Sequence, residues 1–306
     1  MELSVLLNKM FVFVVLMVIG YVLARRGVLD RSFTKAASNL TLNVFMAATI
    51  VNSVLNVDAS LSWAELGKIQ LVVWVMQLTG YVLAWLVARV VPCEEEHRPG
   101  FELLMSMGNS MFIALPLVDA LYGPVAVFYM SMTCIPFNIL LYSYGVWRLN
   151  SGRSRKGFRF RDILSVPLIA ALIALAIFLL KPPVPTALKG LIGAMSGATM
   201  PLSMIVIGSS LGSVSLFDAF KHGRLYLASF VRLILIPLLT WFLCRLLTQD
   251  PVLLMTMLIT AGCPSAVVVT VLSIQYGRDG VFTAEGTLQS TVLSMITLPL
   301  WVMILG

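Results

Sequence analysis

Charge is what this sequence has least of. Of 306 residues only 35 are charged, 21 Lys and Arg against 14 Asp and Glu, or 11% of the chain, where a soluble domain carries about 25%. The chain is 59% hydrophobic with a mean hydropathy of +0.95, which leaves too little polar surface to cover a globule of this size in water. A soluble enzyme, a nucleic-acid binder and a disordered chain are excluded, and a polytopic membrane protein is expected. Histidine is nearly absent: His97 and His222 fall in loops without nearby ligand partners, and the four cysteines form no CxxC. A membrane-embedded enzyme would need a nucleophile–base set or a metal cluster, so no catalytic residue, metal site or cofactor is expected. The first apolar run lacks a basic n-region and a small-residue cleavage pattern, and it ends at Arg25-Arg26. It reads as a retained span, not a signal peptide.

Ten apolar runs reach or approach the roughly 20 residues that a hydrocarbon core requires: 3–24, 37–57, 69–91, 103–123, 125–147, 163–180, 188–212, 224–247, 252–276 and 281–305. Backbone groups cannot stay unpaired in lipid, so these runs predict a helical bundle of ten spans. Lys and Arg orient it. Fifteen lie in odd-numbered loops and four (Lys68, Lys181, Lys189, Arg245) in even-numbered ones, with Lys9 and Arg232 inside spans. The positive-inside bias then puts the odd loops in the cytoplasm and both termini outside. The run SGRSRKGFRFRD, in the basic loop 148–162, is the strongest marker. It reads as a topogenic segment that also meets anionic headgroups.

A shift of 154 residues lays 108–133 over 262–287 without a gap. It matches Gly108 with Gly262, Tyr122-Gly123 with Tyr276-Gly277, and Val127-Phe128 with Val281-Phe282. Span 4 falls on span 9 and span 5 on span 10, so each half, 1–147 and 163–306, holds five spans. Five is odd, and the second half therefore enters the membrane from the opposite side. The predicted fold is an all-α integral membrane protein of ten transmembrane helices as two five-helix inverted repeats, a plan used by secondary transporters.

Span 4 is interrupted at Gly108-Asn109 and again by Pro116, and span 9 at Gly262-Cys263-Pro264. Proline removes an amide donor and clashes with the preceding turn. Matched breaks in two halves point to a carrier's substrate site. The candidate substrate-binding residues are Asn109, Ser110 and Pro116 at the first break, Cys263, Pro264 and Ser265 at the second, and Asn43 in span 2. Arg232 joins them, either as counter-charge to a substrate carboxylate or as partner to an acid. The opened helix ends are expected to offer amide N–H groups to an anion. Asp119, Glu285 and, one turn on, Gln289 are the coupling candidates, since ionisable groups within a bilayer are functional by default. Gln77, Thr79 and Asn138 could line the same cavity. In span 7, Gly193, Gly197, Gly208 and Gly212 with Pro201 read as a close-packing face.

GNSMFIALPLVDALYG resembles the fourth-span signature of the auxin efflux carrier family, ATMPLSMIVIGSSLG its seventh span, and CPSAVVV onward its ninth and tenth. The resemblance covers essentially the whole chain, and the short central loop is similar to prokaryotic members of the malate and malonate permease type. It implies secondary transport by alternating access of an organic anion, a carboxylate such as malate, malonate or an auxin-like acid. It also implies a fold shared with plant PIN-formed carriers and bile-acid sodium symporters, in which spans 4 and 9 cross at the substrate. Spans 1, 2, 6 and 7 would form one domain and the other six the second. Asn109, Pro116 and Pro264 match the family motif, whereas Ala47 stands where relatives tend to carry a proline and the crossing proline of the plant carriers near Val269 is absent. The alternative is a drug/metabolite-type ten-helix carrier for a neutral or cationic metabolite, which would keep both termini in the cytoplasm. The expected partners are a small carboxylate and the bilayer, with no nucleic acid; the coupling ion is H⁺ or Na⁺, and a homodimer is compatible with the chain. A bacterial inner membrane, with both termini periplasmic, is the expected location.

Overall fold

The computed structural model describes residues 3–55, 62–151, 164–212 and 219–305. Most of the basic run SGRSRKGFRFRD lies outside the described residues, as does the side chain of Lys9. Among the described residues every regular element is a helix. In chain order these are α1 (Leu3–Arg25), α2 (Arg31–Leu40), α3 (Met46–Leu55), α4 (Trp63–Val90), α5 (Arg98–Ser106), α6 (Leu115–Tyr122), α7 (Pro124–Ser131) and α8 (Cys134–Leu140). They continue as α9 (Val146–Asn150), α10 (Val166–Leu180), α11 (Thr186–Gly212), α12 (Gly223–Phe230), α13 (Ile236–Leu247), α14 (Pro251–Ala261), α15 (Val267–Gln275) and α16 (Gly280–Leu305). Four π turns, Thr41–Phe45, Ser110–Ala114, Leu141–Gly145 and Val231–Leu235, lead into α3, α6, α9 and α13 without ending the helix.

Among the described residues six helices are long and apolar enough to cross a membrane: Ser32–Leu55, Trp63–Val90, Pro124–Asn150, Thr186–Gly212, Gly223–Leu247 and Gly280–Leu305. Four further apolar helices are shorter: Phe11–Arg25, Ser110–Tyr122, Val166–Leu180 and Pro251–Ala261. The chain is a multi-pass membrane protein. Its helix starts are set by local chemistry. Asp30 accepts the Phe33 amide at 2.7 Å, and Asp250, followed by Pro251, accepts the amides of Val252 and Leu253 at 2.9 and 3.2 Å, which satisfies donors that a helix leaves open.

The described residues divide into two compact units. One takes Met1–Ile69, Met111–Cys134 and Ser165–Ser213; the other takes Gln70–Ser110, Ile135–Leu164 and Val214–Gly306. Spans 1, 2, 6 and 7 lie together in the first unit, but so do residues 111–134, which the sequence grouping had assigned elsewhere. The cause is α7, buried from Ala126 to Ser131 and packed on α3 and α10. The first unit is held by α1 against α11. A Cβ on Gly208 would run into the backbone of Met17, one on Gly20 into Ile205, and one on Gly212 into Ala24. Small residues allow that approach, which is how helices bind each other where lipid removes the hydrophobic drive. Gly193 and Gly197, expected on the same face, have no such close neighbour. Thr49 and Thr199 hydroxyls meet at 2.7 Å where α3 crosses α11.

Pro116 does not interrupt span 4. It follows the π turn Ser110–Ala114 within the continuous helix Ser110–Tyr122, and that wider turn makes room for its ring.

Candidate functional site

The site lies in the second unit, where two helices stop halfway. After α5 ends at Ser106, Met107 turns extended (φ −101°, ψ 114°), and after α14 ends at Ala261 the chain runs through Gly262 to an extended Ala266. The two breaks meet as a short antiparallel bridge between Gly108 and Ser265. Asn109 N–H donates to the carbonyl of Pro264 at 2.7 Å, and Ala266 N–H to that of Met107 at 2.9 Å. Ser265 adds its own bonds: its amide donates to Ser290 Oγ at 3.1 Å and its hydroxyl to the Leu104 carbonyl at 2.6 Å. Backbone groups freed at both breaks thus satisfy one another, which irregular chain buried at membrane depth requires. The crossing forms without a proline near Val269.

Arg232 sits in the π turn after α12 and is 4% exposed. Its Nε donates to the Cys263 carbonyl at 2.7 Å, Nη1 to Met105 and Ser106 at 3.3 and 3.4 Å, and Nη2 to Thr260 at 3.4 Å. These carbonyls belong to the final turns of α5 and α14 or to the residues just beyond. A helix C-terminus carries about half a negative charge, so two ends supply roughly the one charge that a guanidinium needs. Burying a cation costs several kcal/mol; four hydrogen bonds from a charged donor, about 1.5–3 kcal/mol each, are of the size to offset it. Among the described residues no carboxylate pairs with Arg232. Of the two roles open to it, pairing with an acid is not the one observed.

A guanidinium has five N–H donors, and four are spent on carbonyls. The fifth is on Nη2, beside Gly108, where any Cβ would overlap it. Gly108 and Arg232 both line a cavity of about 10 Å³, together with Gln77, Ser110, Phe137 and Thr260, room for about one water. Ser106 also lines it, and its buried hydroxyl has no partner among the described residues.

The expected residues therefore separate. Asn109, Ser110, Cys263, Pro264, Ser265 and Arg232 come together at the bridge, the first, third and fourth through their backbones. Gln77 lines the cavity, while the Thr79 hydroxyl is turned back onto the Val75 carbonyl at 2.7 Å. Asn43, Pro116 and Asp119 belong to the first unit; Asn43 is exposed in a π turn and Asp119 is half-buried in α6. Glu285 and Gln289 are buried on α16 in the second unit, where Gln289 Oε1 accepts from Ser229 Oγ at 3.2 Å.

The profile of the family described as "Membrane transport protein" matches residues 5–158 and 154–302. The chain belongs to this family, the auxin efflux carriers. It is 27% identical over 300 residues to an uncharacterized transporter of Methanothermobacter thermautotrophicus, covering 95% of both chains. With an uncharacterized transporter of Methanocaldococcus jannaschii it shares 24% over 306 residues, covering 96% of this chain and 97% of the other. The protein is a membrane transporter.

One buried group in this transporter was not anticipated. Glu102, read from sequence as the last residue of a loop, is 1% exposed in the middle of α5. It accepts from Arg148 Nε at 2.8 Å and from the Tyr144 hydroxyl. The signal was present: a lone Glu directly ahead of an apolar run that ends in a glycine break.

Proposed function

We propose that this protein is a secondary active carrier for an organic anion, a carboxylate such as malate, malonate or an auxin-like acid, working by alternating access. The observation that carries the reading is the fifth donor of Arg232. A cation held between two helix ends by backbone alone, with one N–H left at the cavity wall, suits a carboxylate oxygen arriving there. Gln77 and Ser110 stand beside it as neutral donors, and the Asn109 amide, bonded to Pro264, anchors the chain where the π turn of Ser110 begins. In this reading the amide N–H groups at the breaks serve the crossing, not the anion. At one water's volume the cavity is closed to such a ligand, and transport requires it to widen.

The wider frame of the proposal is ten spans in two inverted repeats, 1–147 and 163–306, joined by the cytoplasmic loop 148–162, with both termini outside a bacterial inner membrane. Local geometry supports the repeat: Gly123 and Gly277, paired by the 154-residue shift, adopt φ of +72° and +69°, a left-handed conformation that favours glycine. The test is counterflow. Purified protein is reconstituted in malate-loaded liposomes, and uptake of labelled malate is followed against a panel of mono- and dicarboxylates. Competed uptake that Arg232→Gln and Ser110→Ala reduce supports the reading. No exchange with any member of the panel, from protein that elutes as a single folded species, ends it.

A further inference from the structure

Both histidines of the chain converge on one ring. His97, just ahead of α5, stacks on Phe282 with centroids 4.5 Å apart and planes 8° from parallel. His222, just ahead of α12, meets the same ring edge-on at 6.2 Å. Each also reaches carboxylates. His97 Nε2 is 2.9 Å from Asp279 Oδ2 and its Nδ1 is 3.6 Å from Glu94 Oε2. His222 Nε2 is 3.3 Å from Glu285 Oε2.

The two pairs differ in depth. The side chains of Glu94 and Asp279 are 67% and 34% exposed, so His97 joins groups that water already reaches. His222 is 55% exposed and the Glu285 side chain only 10%, so His222 connects water to a buried acid. One turn inward on α16 comes Gln289, fully buried, its Nε2 without a hydrogen-bond partner among the described residues. The next residue, Ser290, takes the amide of Ser265 at the crossing itself. A polar line thus follows α16 from the surface to the bridge, with Thr283, Thr287 and Thr291 also buried on that helix. Apolar side chains at 285 and 289 would pack there without burying charge, and ionisable groups kept at such depth mark ion and proton paths.

Among the described residues, the other ionisable groups near this line have contacts of their own, Lys221 beside His222 included. Helices α14 and α15 contain no Asp, Glu, Lys, Arg or His. Arg224 of α12 points to Glu94 at 3.5 Å, Glu102 of α5 is taken by Arg148 and Tyr144, Arg232 by its four carbonyls, and Arg278 lies 3.5 Å from Glu96. Among the described residues, His222 is the exposed titratable group within 3.3 Å of Glu285.

We propose that this carrier is coupled to H⁺, that Glu285 is the buried group that binds the proton, and that His222 is the relay by which it arrives. The step is a transfer from the imidazolium of His222 to the carboxylate of Glu285. It leaves a neutral imidazole and a neutral carboxylic acid, and it reverses on release. Histidine is the side chain suited to this exchange near neutral pH. The proposal rests on the carboxylate-carrier reading above.

The experiment uses full-length protein in sodium-free proteoliposomes enclosing a pH-sensitive dye, with the membrane potential clamped. Malate counterflow without a gradient and malate accumulation under an imposed pH gradient are both measured. In the wild type, malate is expected to shift internal pH and to accumulate under the gradient. The ratio of accumulation to counterflow should fall about tenfold or more in Glu285→Gln and somewhat less in His222→Gln. His97→Gln, on the same Phe282 but with exposed acids, should keep its ratio. Net malate uptake by the wild type into malate-free liposomes without any change of internal pH overturns the proposal, as does Glu285→Gln with an undiminished ratio. Should Glu285→Gln fail to fold, the surface variant His222→Gln decides by the same ratio. Absence of counterflow in the wild type would instead remove the carboxylate reading on which this one stands.

Discussion

Arg232 Nε stands 2.7 Å from the carbonyl oxygen of Cys263, so a side chain from an unbroken helix holds the break in another. Through Nη1 the same guanidinium holds Met105 and Ser106 on the first broken helix. The crossing is thereby a four-carbonyl cage around a fixed cation. Arg232→Gln removes the charge while leaving the helix ends buried. Breaking one side of such a buried pairing costs about 3–5 kcal/mol. Arg232→Lys should recover only part, because a point ammonium cannot fork to carbonyls of two helices at once. Thermal unfolding in detergent checks both, and a Gln variant as stable as the wild type would show that the cage closes without the cation.

Gly108 is required for space. A Cβ there would overlap Nη2 of Arg232, and the guanidinium cannot retreat while Nε and Nη1 are engaged. The strain falls on the Gly108–Ser265 bridge. Gly108→Ala is expected to cost about 1–3 kcal/mol and to lower counterflow about tenfold or more by shifting the cavity wall. Gly190→Ala, in α11 with open space around it, should change neither. Equal effects from the two would mean that helix propensity, not the guanidinium contact, governs position 108.

What could be read from sequence here follows how local the cause is. The breaks at 108–109 and 262–264 were legible because glycine and proline announce them. Pro116 misled, since its effect depends on a π turn that no residue signals. Arg232 stood out as a buried charge, but its partners are backbone carbonyls of residues 105, 106, 260 and 263, invisible as side-chain chemistry. The pairs Glu102 with Arg148 and His97 with Asp279 were out of reach for another reason. They lie 46 and 182 positions apart, so only the folded bundle brings them together.

Gly20 and Gly208 form a seam that sequence pattern half disclosed. Adding a methyl to Gly208 would drive it into the Met17 backbone, and one on Gly20 into that of Ile205. Both obstacles are main chain, which cannot rotate aside. Gly208→Ala or Gly20→Ala should each lower stability by about 1–3 kcal/mol, and the double variant should cost less than their sum because one separation of α1 from α11 relieves both. Unfolding midpoints of the three variants test this; additive losses would show two independent contacts.

Asp279 begins α16 by accepting the amides of Val281 and Phe282 at 2.8 and 3.0 Å, with His97 Nε2 2.9 Å from its other oxygen. Partial burial works to raise its carboxyl pKa, but the Phe282 amide, His97 and the Val281 amide outweigh it and hold the group below its ordinary 3.8. A carboxyl depressed in the folded state contributes stability above its unfolded pKa and loses it as pH falls through the folded value. Asp279→Ala should therefore cost about 1 kcal/mol near neutral pH, the worth of a helix cap. That gap to wild type should stay level on acidification until about pH 4 and shrink below it. Unfolding midpoints of both proteins between neutral pH and the acid limit of folding measure it. A gap that closes already between neutrality and pH 5 would show that the contribution does not come from the Asp279 carboxylate.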